Sequence, residues 1–480
     1  MSPVIGLIGI VIALAIFLIA VYKGWASHWV APVCAIIVAI FNKLAPETLI
    51  SSYVGGIVEL ITSLFFIVFF GAVLGHLYNA TGAASSIAKT LTNAFVIKRQ
   101  GEAQVRAAIF VVLIVSAILT MGGIDGYILT FTLIPICFVI AEMVDIPRRF
   151  IPGMMVLNCG FMAAPGAPQI DNVMAQAGIM SGVAGNEALA PFLAQGFHIS
   201  STAGLIPGIV AVIIIAGGGY FTLTHMILKA KRNGEHFDWG TVRKMEQSED
   251  RPLPNFVVSL LPLIFVFGAY TLFPAITGIE VNIAIALALG IVVALVTMGG
   301  KLPKVDERGN KVGLVGALVN GMNGGSANYP GALMTLVTPS ALAAVVTATS
   351  AFGFVIGLLG GIHAHYIILC IIAVCVIVAI TSSPPAALMV SLPVILGIML
   401  GQGFAPADII ANAPALARVG ALAATTFETL PINGLIILTL QLTGCTHKEG
   451  YKPMFLMSVL FTLIGTIVAG AMFILFPGLV

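Results

Sequence analysis

Long apolar runs separated by short polar loops dominate the pattern of hydrophobic and polar positions along this chain of 480 residues. A run of about 20 apolar residues is long enough for a helix to cross a bilayer. Membrane helices are therefore predicted at residues 4–22, 29–44, 56–78, 200–228, 255–275, 280–299 and 453–476. The more amphipathic stretch 82–97 predicts a helix that lies along the membrane surface.

Glycine, proline and polar residues interrupt four further apolar segments near their middle, at 103–143, 150–180, 363–400 and 413–442. The interrupting stretches are Thr120–Asp125, Ala164–Asp171, Thr381–Pro385 and Glu428–Gly434. Helix breakers at bilayer depth are tolerated only where protein or a protein-lined cavity encloses the freed backbone groups. We therefore expect these four stretches to form a solute-binding site.

The interruptions recur at a nearly constant spacing. Thr120 and Thr381 lie 261 positions apart, and Pro168 and Pro431 lie 263 positions apart. Such weak symmetry is typical of duplicated transporters, although chance among Gly- and Pro-rich helices would produce the same pattern. The sequence predicts an all-α polytopic membrane protein with about 10–14 membrane segments in two inverted repeats, each with a helical hairpin and a broken helix. The predicted units are an N-terminal repeat at 1–228, a cytoplasmic linker at 229–253 and a C-terminal repeat at 254–480.

Composition supports a membrane protein and excludes several other classes. Charged residues make up 8% of the chain, against about 25% in soluble domains. Twenty-one Lys and Arg against 19 Asp and Glu leave no basic face for nucleic acid. The six cysteines show no CxxC spacing, so we expect packing roles, no metal and no cofactor. Nucleotide-binding, hydrolase and metalloprotease motifs are absent from the sequence, so an enzyme is not expected.

Basic residues predict which loops face the cytoplasm, because short cytoplasmic loops are enriched in Lys and Arg. The loops at 229–251 and 301–311 are basic, as are Lys98–Arg99 and Arg148–Arg149. Both ends of segment 103–143 therefore lie on one side of the membrane. That segment enters and returns, either as two full spans or as a re-entrant hairpin.

A broken helix presents free N–H groups and a positive dipole end, both of which favour an anion. We expect glycine and polar residues at the four interruptions, and at the further polar stretch 323–330, to bind substrate. These residues are Thr120, Gly122, Gly123, Gln169, Asn172, Asn323, Ser326, Thr381, Ser382, Ser383, Thr429 and Asn433. The alternative for each polar side chain is a local bond to a helix carbonyl. For 323–330 the alternative is a simple turn of the chain.

Three carboxylates lie at the interruptions: Asp125, Asp171 and Glu428. Burial raises the pKa of a carboxyl group towards neutrality, which allows it to carry a proton. We therefore predict that these residues couple transport to protons. Asp125 could equally form a turn, and Asp171 could cap the second half of its broken helix.

The run Glu428–Ile437, followed by Thr443–Lys452, resembles a signature near the end of the gluconate permease (GntP-type) family. Supporting similarities lie at Phe70–Gly75, Gly126–Pro135 and Pro165–Pro168. The resemblance implies a transporter of the bacterial inner membrane that takes up sugar acids or other small carboxylates with protons. It also implies that hairpins and broken helices move against a scaffold that forms a homodimer in the lipid bilayer.

The chain departs from the gluconate-type pattern at three places. Gluconate-type members typically have a glutamate one residue from the position of Asp125. They also have histidines within the stretch equivalent to Ala164–Pro168 and at the position of Ile432. Fewer donors for a polyol favour a shorter hydroxy-monocarboxylate such as 3-hydroxybutyrate, with gluconate-like sugar acids second. The alternatives to proton coupling are a sodium-coupled carboxylate symporter and an anion exchanger.

Overall fold

The computed structural model describes residues 3–23, 25–124, 126–240, 253–279, 281–305, 310–360, 364–381, 383–431 and 433–479. Within these ranges the chain is almost entirely helical. The helices of the first half are α1 (Pro3–Tyr22), α2 (Ser27–Asn42), α3 (Pro46–Thr81), α4 (Ala83–Phe95), α5 (Gly101–Met121), α6 (Gly126–Val144), α7 (Ile151–Met155), α8 (Cys159–Met162), α9 (Ile170–Ala184), α10 (Pro191–Ala194) and α11 (Leu205–Arg232). Short 3₁₀ turns lie at Arg148–Phe150 and Val156–Asn158.

The second half repeats this order of elements. Its helices are α12 (Phe256–Phe267), α13 (Phe273–Thr277), α14 (Ile283–Met298), α15 (Leu314–Thr347), α16 (Ser350–Gly360), α17 (Tyr366–Thr381), α18 (Pro384–Gly401), α19 (Pro406–Glu428), α20 (Gly434–Leu442), α21 (His447–Phe455) and α22 (Phe461–Leu475). A π-helical turn at Gly268–Leu272 joins α12 to α13, and another at Leu456–Leu460 joins α21 to α22.

Each half contains a long helix, a short helix, a hairpin, a broken helix and a long final helix. The long helices are α3 and α15, with 36 and 34 residues. The hairpins are α5–α6 and α17–α18, and the broken helices are α7–α9 and α19–α20. Six helices in the described ranges, or seven with the bent α3, are long and apolar enough to cross a membrane. The predicted all-α polytopic fold with a hairpin and a broken helix in each half is confirmed.

The equivalent helices α3 and α15 pack against each other in opposite directions. A Cβ atom added at Gly325 would lie 2.6 Å from Cα of Val73, so only glycine permits this close approach. Further along the pair, the hydroxyl of Tyr53 lies 3.5 Å from the carbonyl of Thr338. Because α3 and α15 occupy the same place in the two halves, their opposite directions fit an inverted repeat.

Four short segments interrupt the hairpins and the broken helices. Tip 1 is residues 122–125, between α5 and α6, and tip 2 is residues 382–383, between α17 and α18. Break 1 is residues 163–169, between α8 and α9, and break 2 is residues 429–433, between α19 and α20. The polar stretch 323–330 is not an interruption, because α15 continues through it as a helix.

A segment after α11, residues 235–239, packs beside α6 and the residues that follow it, and we call it the strap. Glu235 forms a two-bond ion pair with Arg149, at 2.7 and 2.8 Å. The Trp239 ring stacks on Phe138 of α6 with the ring centroids 5.1 Å apart. Arg148 then connects the strap to the second half, since it pairs with a strap carboxylate and donates to carbonyls after α20.

Asp145 anchors the strap and makes it sensitive to pH. Its carboxylate accepts bonds from the Phe237 amide, His236 and Lys231 at 2.8, 2.9 and 3.3 Å. Partial burial opposes these contacts, but together they hold the pKa of Asp145 below its ordinary value. A carboxylate with a lowered pKa stabilises the folded contact above about pH 4 and loses that effect as the pH falls.

Replacing Asp145→Asn is expected to release the strap at neutral pH. Because exposed ion pairs contribute up to about 1 kcal/mol, amide exchange in residues 235–240 should become faster by up to about fivefold. Hydrogen–deuterium exchange read by mass spectrometry measures this change. Asp408→Asn, at an exposed position of α19, is the control and should leave the strap unchanged. Unchanged exchange in the Asp145 variant would show that this carboxylate does not hold the strap.

Candidate solute-binding site

Tip 1 is a turn that glycine makes possible. Gly123 has a φ of +87°, a left-handed conformation that side chains disfavour. A Cβ atom added at Gly122 would lie 2.4 Å from Cδ2 of Leu263 on α12. The helix therefore stops here because the backbone both reverses and packs closely on the neighbouring helix. Asp125, a predicted proton carrier, lies outside the described residues.

Break 1 frees several carbonyl groups, and nearby side chains satisfy them. Nδ2 of Asn172 donates to the carbonyls of Ala164 and Ala167, at 2.9 and 3.0 Å. The hydroxyl of Thr271, on the π-helical turn after α12, donates to the carbonyl of Gly166 at 2.6 Å. Unsatisfied carbonyls at this depth would each cost several kcal/mol. Asn172, predicted to bind substrate, therefore uses its amide donor to stabilise break 1.

Gln169 connects break 1 to tip 1. Its buried amide Nε2 donates to the carbonyl of Thr120 at 2.6 Å. The hydroxyl of Thr120 is itself buried and has no hydrogen-bond partner among the described residues. Since the Gln169 side chain points to the hairpin, it does not cap α9, of which Gln169 is the N-cap residue.

A buried arginine from the second half holds break 1 in place. Arg418 on α19 is 3% exposed, and its Nε donates to the carbonyl of Ala203 at 2.8 Å. Nη1 donates to the carbonyl of Ala163 and to Oδ1 of Asn172, both at 2.7 Å, and Nη2 donates to the carbonyl of Ser201 at 3.0 Å. The guanidinium therefore links the broken helices of the two repeats.

Sequence reasoning missed Arg418, although a signal was present. It is the one charged residue in the 19 positions between Asp408 and Glu428. Ionisable residues within membrane segments are functional candidates by default. Arg418 lies among alanines in an uninterrupted part of the segment, whereas the helix breakers that predict a site begin at Glu428.

Break 2 is held by α21 and the π-helical turn that follows it. The hydroxyl of Ser458 donates to Oγ1 of Thr429 at 2.6 Å. The hydroxyl of Tyr451 donates to the carbonyl of Thr429 at 3.1 Å. Asn433 accepts a bond from the amide of Leu435 at 2.8 Å and thereby caps α20. Thr429 and Asn433, both predicted as ligands, thus support the break through their side-chain oxygens.

Tip 2 lies beside break 2, because α17 and α19 run in the same direction. Tyr366 donates to Oδ1 of Asn412 at 2.8 Å, and the thiol of Cys375 lies 3.7 Å from the carbonyl of Ala423. The last turns of both helices are therefore at the same level. Ser383 caps α18 through its hydroxyl oxygen. Ser382 and the side chain of Thr381 lie outside the described part.

Tip 2 also lies beside the start of α9, because α18 and α9 run side by side in the same direction. A Cβ atom at Gly178 would lie 2.7 Å from the carbonyl oxygen of Leu388, and one at Gly182 would lie 2.7 Å from Cα of Pro393. These contacts place the first turn of α9 level with tip 2, about one turn before the start of α18. The start of α9 reaches α19 through the bond between Asn172 and Arg418.

Two buried carboxylates lie at these helix ends. Asp171, in the first turn of α9, is 3% exposed, and Glu428, in the last turn of α19, is 6% exposed. Both lie within electrostatic range of the thiol of Cys159 on α8. Each break therefore has a buried acid beside it, one from each half of the chain.

Two predicted ligands lie elsewhere. Asn323 is exposed on α15, and the hydroxyl of Ser326 donates to the carbonyl of Met322 in its own helix at 2.6 Å. The adjacent glycines of α15 pack on α3, as Gly325 does on Val73. The expectation that 323–330 turns the chain is therefore wrong, because α15 continues through it as a helix. Binding of substrate by Asn323 and Ser326 stays a prediction.

Comparison with known proteins agrees with this architecture. No family model matches the chain. An uncharacterized transporter, YxjC of Bacillus subtilis (strain 168), is 24% identical over 502 residues, covering 95% of this chain and 96% of that protein. The crystal structure of the YdaH transporter from Alcanivorax borkumensis superposes with a TM-score of 0.52 and 16% identity, over 91% of this chain and 90% of that one. The chain is a multi-pass membrane transporter.

Replacing Arg418→Gln is expected to destabilise the protein by about 2–4 kcal/mol. Four hydrogen bonds are lost, and buried acceptors are left unpaired. Differential scanning fluorimetry in detergent measures the shift in melting temperature. Arg418→Lys keeps the charge but not the planar fork of donors. Its melting temperature should lie between those of Arg418→Gln and the wild type.

Arg106→Gln is the matched control for Arg418. Its side chain is 54% exposed, and its carboxylate contact with Glu102 is 3.7 Å long, so little stability should be lost. A wild-type melting temperature in Arg418→Gln would mean that the guanidinium does not support break 1.

Proposed function

We propose that this transporter is a proton-coupled symporter that takes up a small organic acid anion across the bacterial inner membrane. The observation that carries the proposal is the burial of one carboxylate beside each break, Asp171 at break 1 and Glu428 at break 2. Buried carboxylates exchange protons readily near neutral pH, because a low dielectric disfavours their charged form. The resemblance of the Glu428 run to gluconate permeases supports the same function.

The start of α9 is the best place for the carboxylate of the substrate. Ser383 caps α18 and Asn433 caps α20, whereas the side chain of Gln169 bonds to tip 1 and leaves α9 without a side-chain cap. The N-terminal amides and the positive end of the α9 dipole therefore suit an anion. Arg418 adds positive charge on the other side of break 1.

Charge balance links substrate binding to proton binding. With Asp171 and Glu428 ionised, the described site holds two negative charges against the single positive charge of Arg418. An anionic substrate adds a third negative charge, which raises the proton affinity of both carboxyl groups. By linkage, a bound proton then raises the affinity for the anion by the same factor.

The membrane potential is the reason why proton coupling would help the uptake of an anion. A negative interior opposes the entry of an anion by about 2.3 kcal/mol per charge per 100 mV. One accompanying proton removes this cost, and a second one would give net inward drive. Proton coupling therefore allows accumulation that an uncoupled carrier could not reach.

Apolar neighbours of tip 1 favour a short acid. A Cβ atom at Gly126 would lie 3.6 Å from the side chains of both Met162 and Leu435. A hydroxy-monocarboxylate such as 3-hydroxybutyrate needs fewer donors here than gluconate does. Gluconate-like sugar acids are the second choice.

Sodium coupling is the alternative that the geometry supports less. A sodium site needs several oxygen ligands. The carbonyls of Ala163, Ala164, Gly166 and Ala167 in break 1 already accept hydrogen bonds from the protein. An anion exchanger is the other alternative, and its uptake would not respond to a protonophore.

Glu428→Gln is expected to lower proton-driven accumulation by at least about tenfold, because glutamine cannot carry the proton. The assay is uptake of labelled 3-hydroxybutyrate into proteoliposomes with an imposed pH gradient. Counterflow exchange at equal pH should persist, since it requires no net proton movement. Glu187→Gln, the same change at an exposed loop position, should behave as the wild type. Full accumulation in Glu428→Gln would remove Glu428 from the coupling mechanism.

Competition among acids tests the proposed substrate class. Unlabelled 3-hydroxybutyrate and lactate should inhibit labelled 3-hydroxybutyrate uptake more strongly than gluconate at equal concentration. The physical reason is the small number of donors beside Met162 and Leu435. Inhibition by gluconate alone would contradict the proposed preference for short hydroxy acids. A loss of uptake when choline replaces sodium would indicate sodium coupling.

A further inference from the structure

Asn158 is a buried amide that the supporting network of break 1 does not use. It ends the 3₁₀ turn Val156–Asn158, in the first half of the broken helix, and is 0% exposed. Its Nδ2 has no hydrogen-bond partner among the described residues. Its Oδ1 meets only the weak thiol donor of Cys159 in that part of the chain, at 3.8 Å. Burying an unpaired NH₂ group is costly.

The side-chain amides of Asn172 and Gln169, by comparison, both donate hydrogen bonds to the backbone. Nδ2 of Asn172 donates to carbonyls of break 1, and Nε2 of Gln169 donates to tip 1. Both therefore have structural tasks that explain their presence. Asn158 has the same chemistry and deeper burial, but its donor has no such task.

The Nδ2 donor of Asn158 faces the first residue of α6. A Cβ atom added at Gly126 would lie 3.7 Å from Nδ2 of Asn158. The same position lies 3.6 Å from Met162, before break 1, and 3.6 Å from Leu435, after break 2. The amide thus points to the place where tip 1 meets both breaks.

The residue after Asn158 relates this donor to the two buried acids. The thiol of Cys159 lies within electrostatic range of Asp171 and Glu428, and Asn158 precedes it in the chain. A neutral NH₂ group there can bind an anionic or hydroxyl oxygen without adding a titratable charge. This property suits a residue that selects substrate while the carboxylates handle protons.

We infer that Asn158 is a specificity-determining residue whose Nδ2 donates a hydrogen bond to an oxygen of the transported acid. This inference rests on the proposed function and adds a contact to the same site. Gly126 belongs to it as the residue whose missing side chain gives the acid access to that donor.

Two independent substitutions test the contact. Asn158→Asp keeps the shape but replaces the donor with a carboxyl group, and it should raise the KM for 3-hydroxybutyrate at least tenfold. Gly126→Ala adds a methyl in ordinary van der Waals contact with its neighbours, so the protein should fold and the KM should again rise at least tenfold. Both KM values come from initial uptake rates in proteoliposomes, and melting temperatures verify folding.

Matched controls carry the same changes at places remote from the tips. Asn233→Asp lies at an exposed position after α11. Gly217→Ala lies on α11, where an added Cβ would meet nothing within 4 Å. Both should retain the wild-type KM.

Butyrate, which lacks the hydroxyl, identifies the oxygen that Asn158 binds. If the KM of Asn158→Asp rises more for 3-hydroxybutyrate than for butyrate, Asn158 binds the hydroxyl of the acid. If the two KM values rise equally, Asn158 binds the carboxylate. Both results support the contact. Unchanged KM values in folded Asn158→Asp and Gly126→Ala overturn it, as does a lowered melting temperature with an unchanged KM.

Uptake by the wild-type protein separates failure of the proposed function from failure of the Asn158 contact. If the wild-type protein takes up none of the acids, the proposed function fails and this contact fails with it. If the wild type accumulates acid with a pH gradient but the Asn158 and Gly126 variants match it, only the contact fails.

Discussion

The structure depends on one constraint: the backbone groups freed by a helix break inside a membrane must find partners within the protein. Break 1 meets this constraint through three side chains, Asn172 from its own helix, Thr271 from the π-helical turn after α12 and Arg418 from the other repeat. A guanidinium suits this task because it offers several donors in a rigid plane. The broken helix can therefore exist only in a fold that brings α19 and α12 beside it.

The same bonds determine which elements can move together. Gln169 joins tip 1 to break 1, and Arg418 joins break 1 to α19. These elements can separate only by exposing buried donors and acceptors, so they act as one unit. The scaffold pair α3 and α15 is instead held by close glycine contacts such as Gly325 on Val73.

Three ionisable side chains of this unit, Asp171, Arg418 and Glu428, are buried. Asp171 follows break 1 and Glu428 precedes break 2, so each break has one buried acid beside it, at a different position of the broken helix. Arg418 offsets part of their charge and is fully engaged by hydrogen bonds. The proposed coupling therefore uses the balance of these three charges rather than any one of them.

The sequence alone determined the positions of the helix breakers and hence the hairpins and broken helices, because glycine, proline and hydropathy act locally. It also identified Asp171 and Glu428, since acids are conspicuous in apolar runs. Only the tertiary structure decided what each polar side chain contacts. Ser326 bonds to its own helix, whereas Ser458 reaches Thr429 in another element. Asn172 and Asn158 likewise differ only in their surroundings. A hydrogen bond joins atoms within about 3 Å, and which distant residues come that close is set by helix packing, which local sequence patterns do not encode.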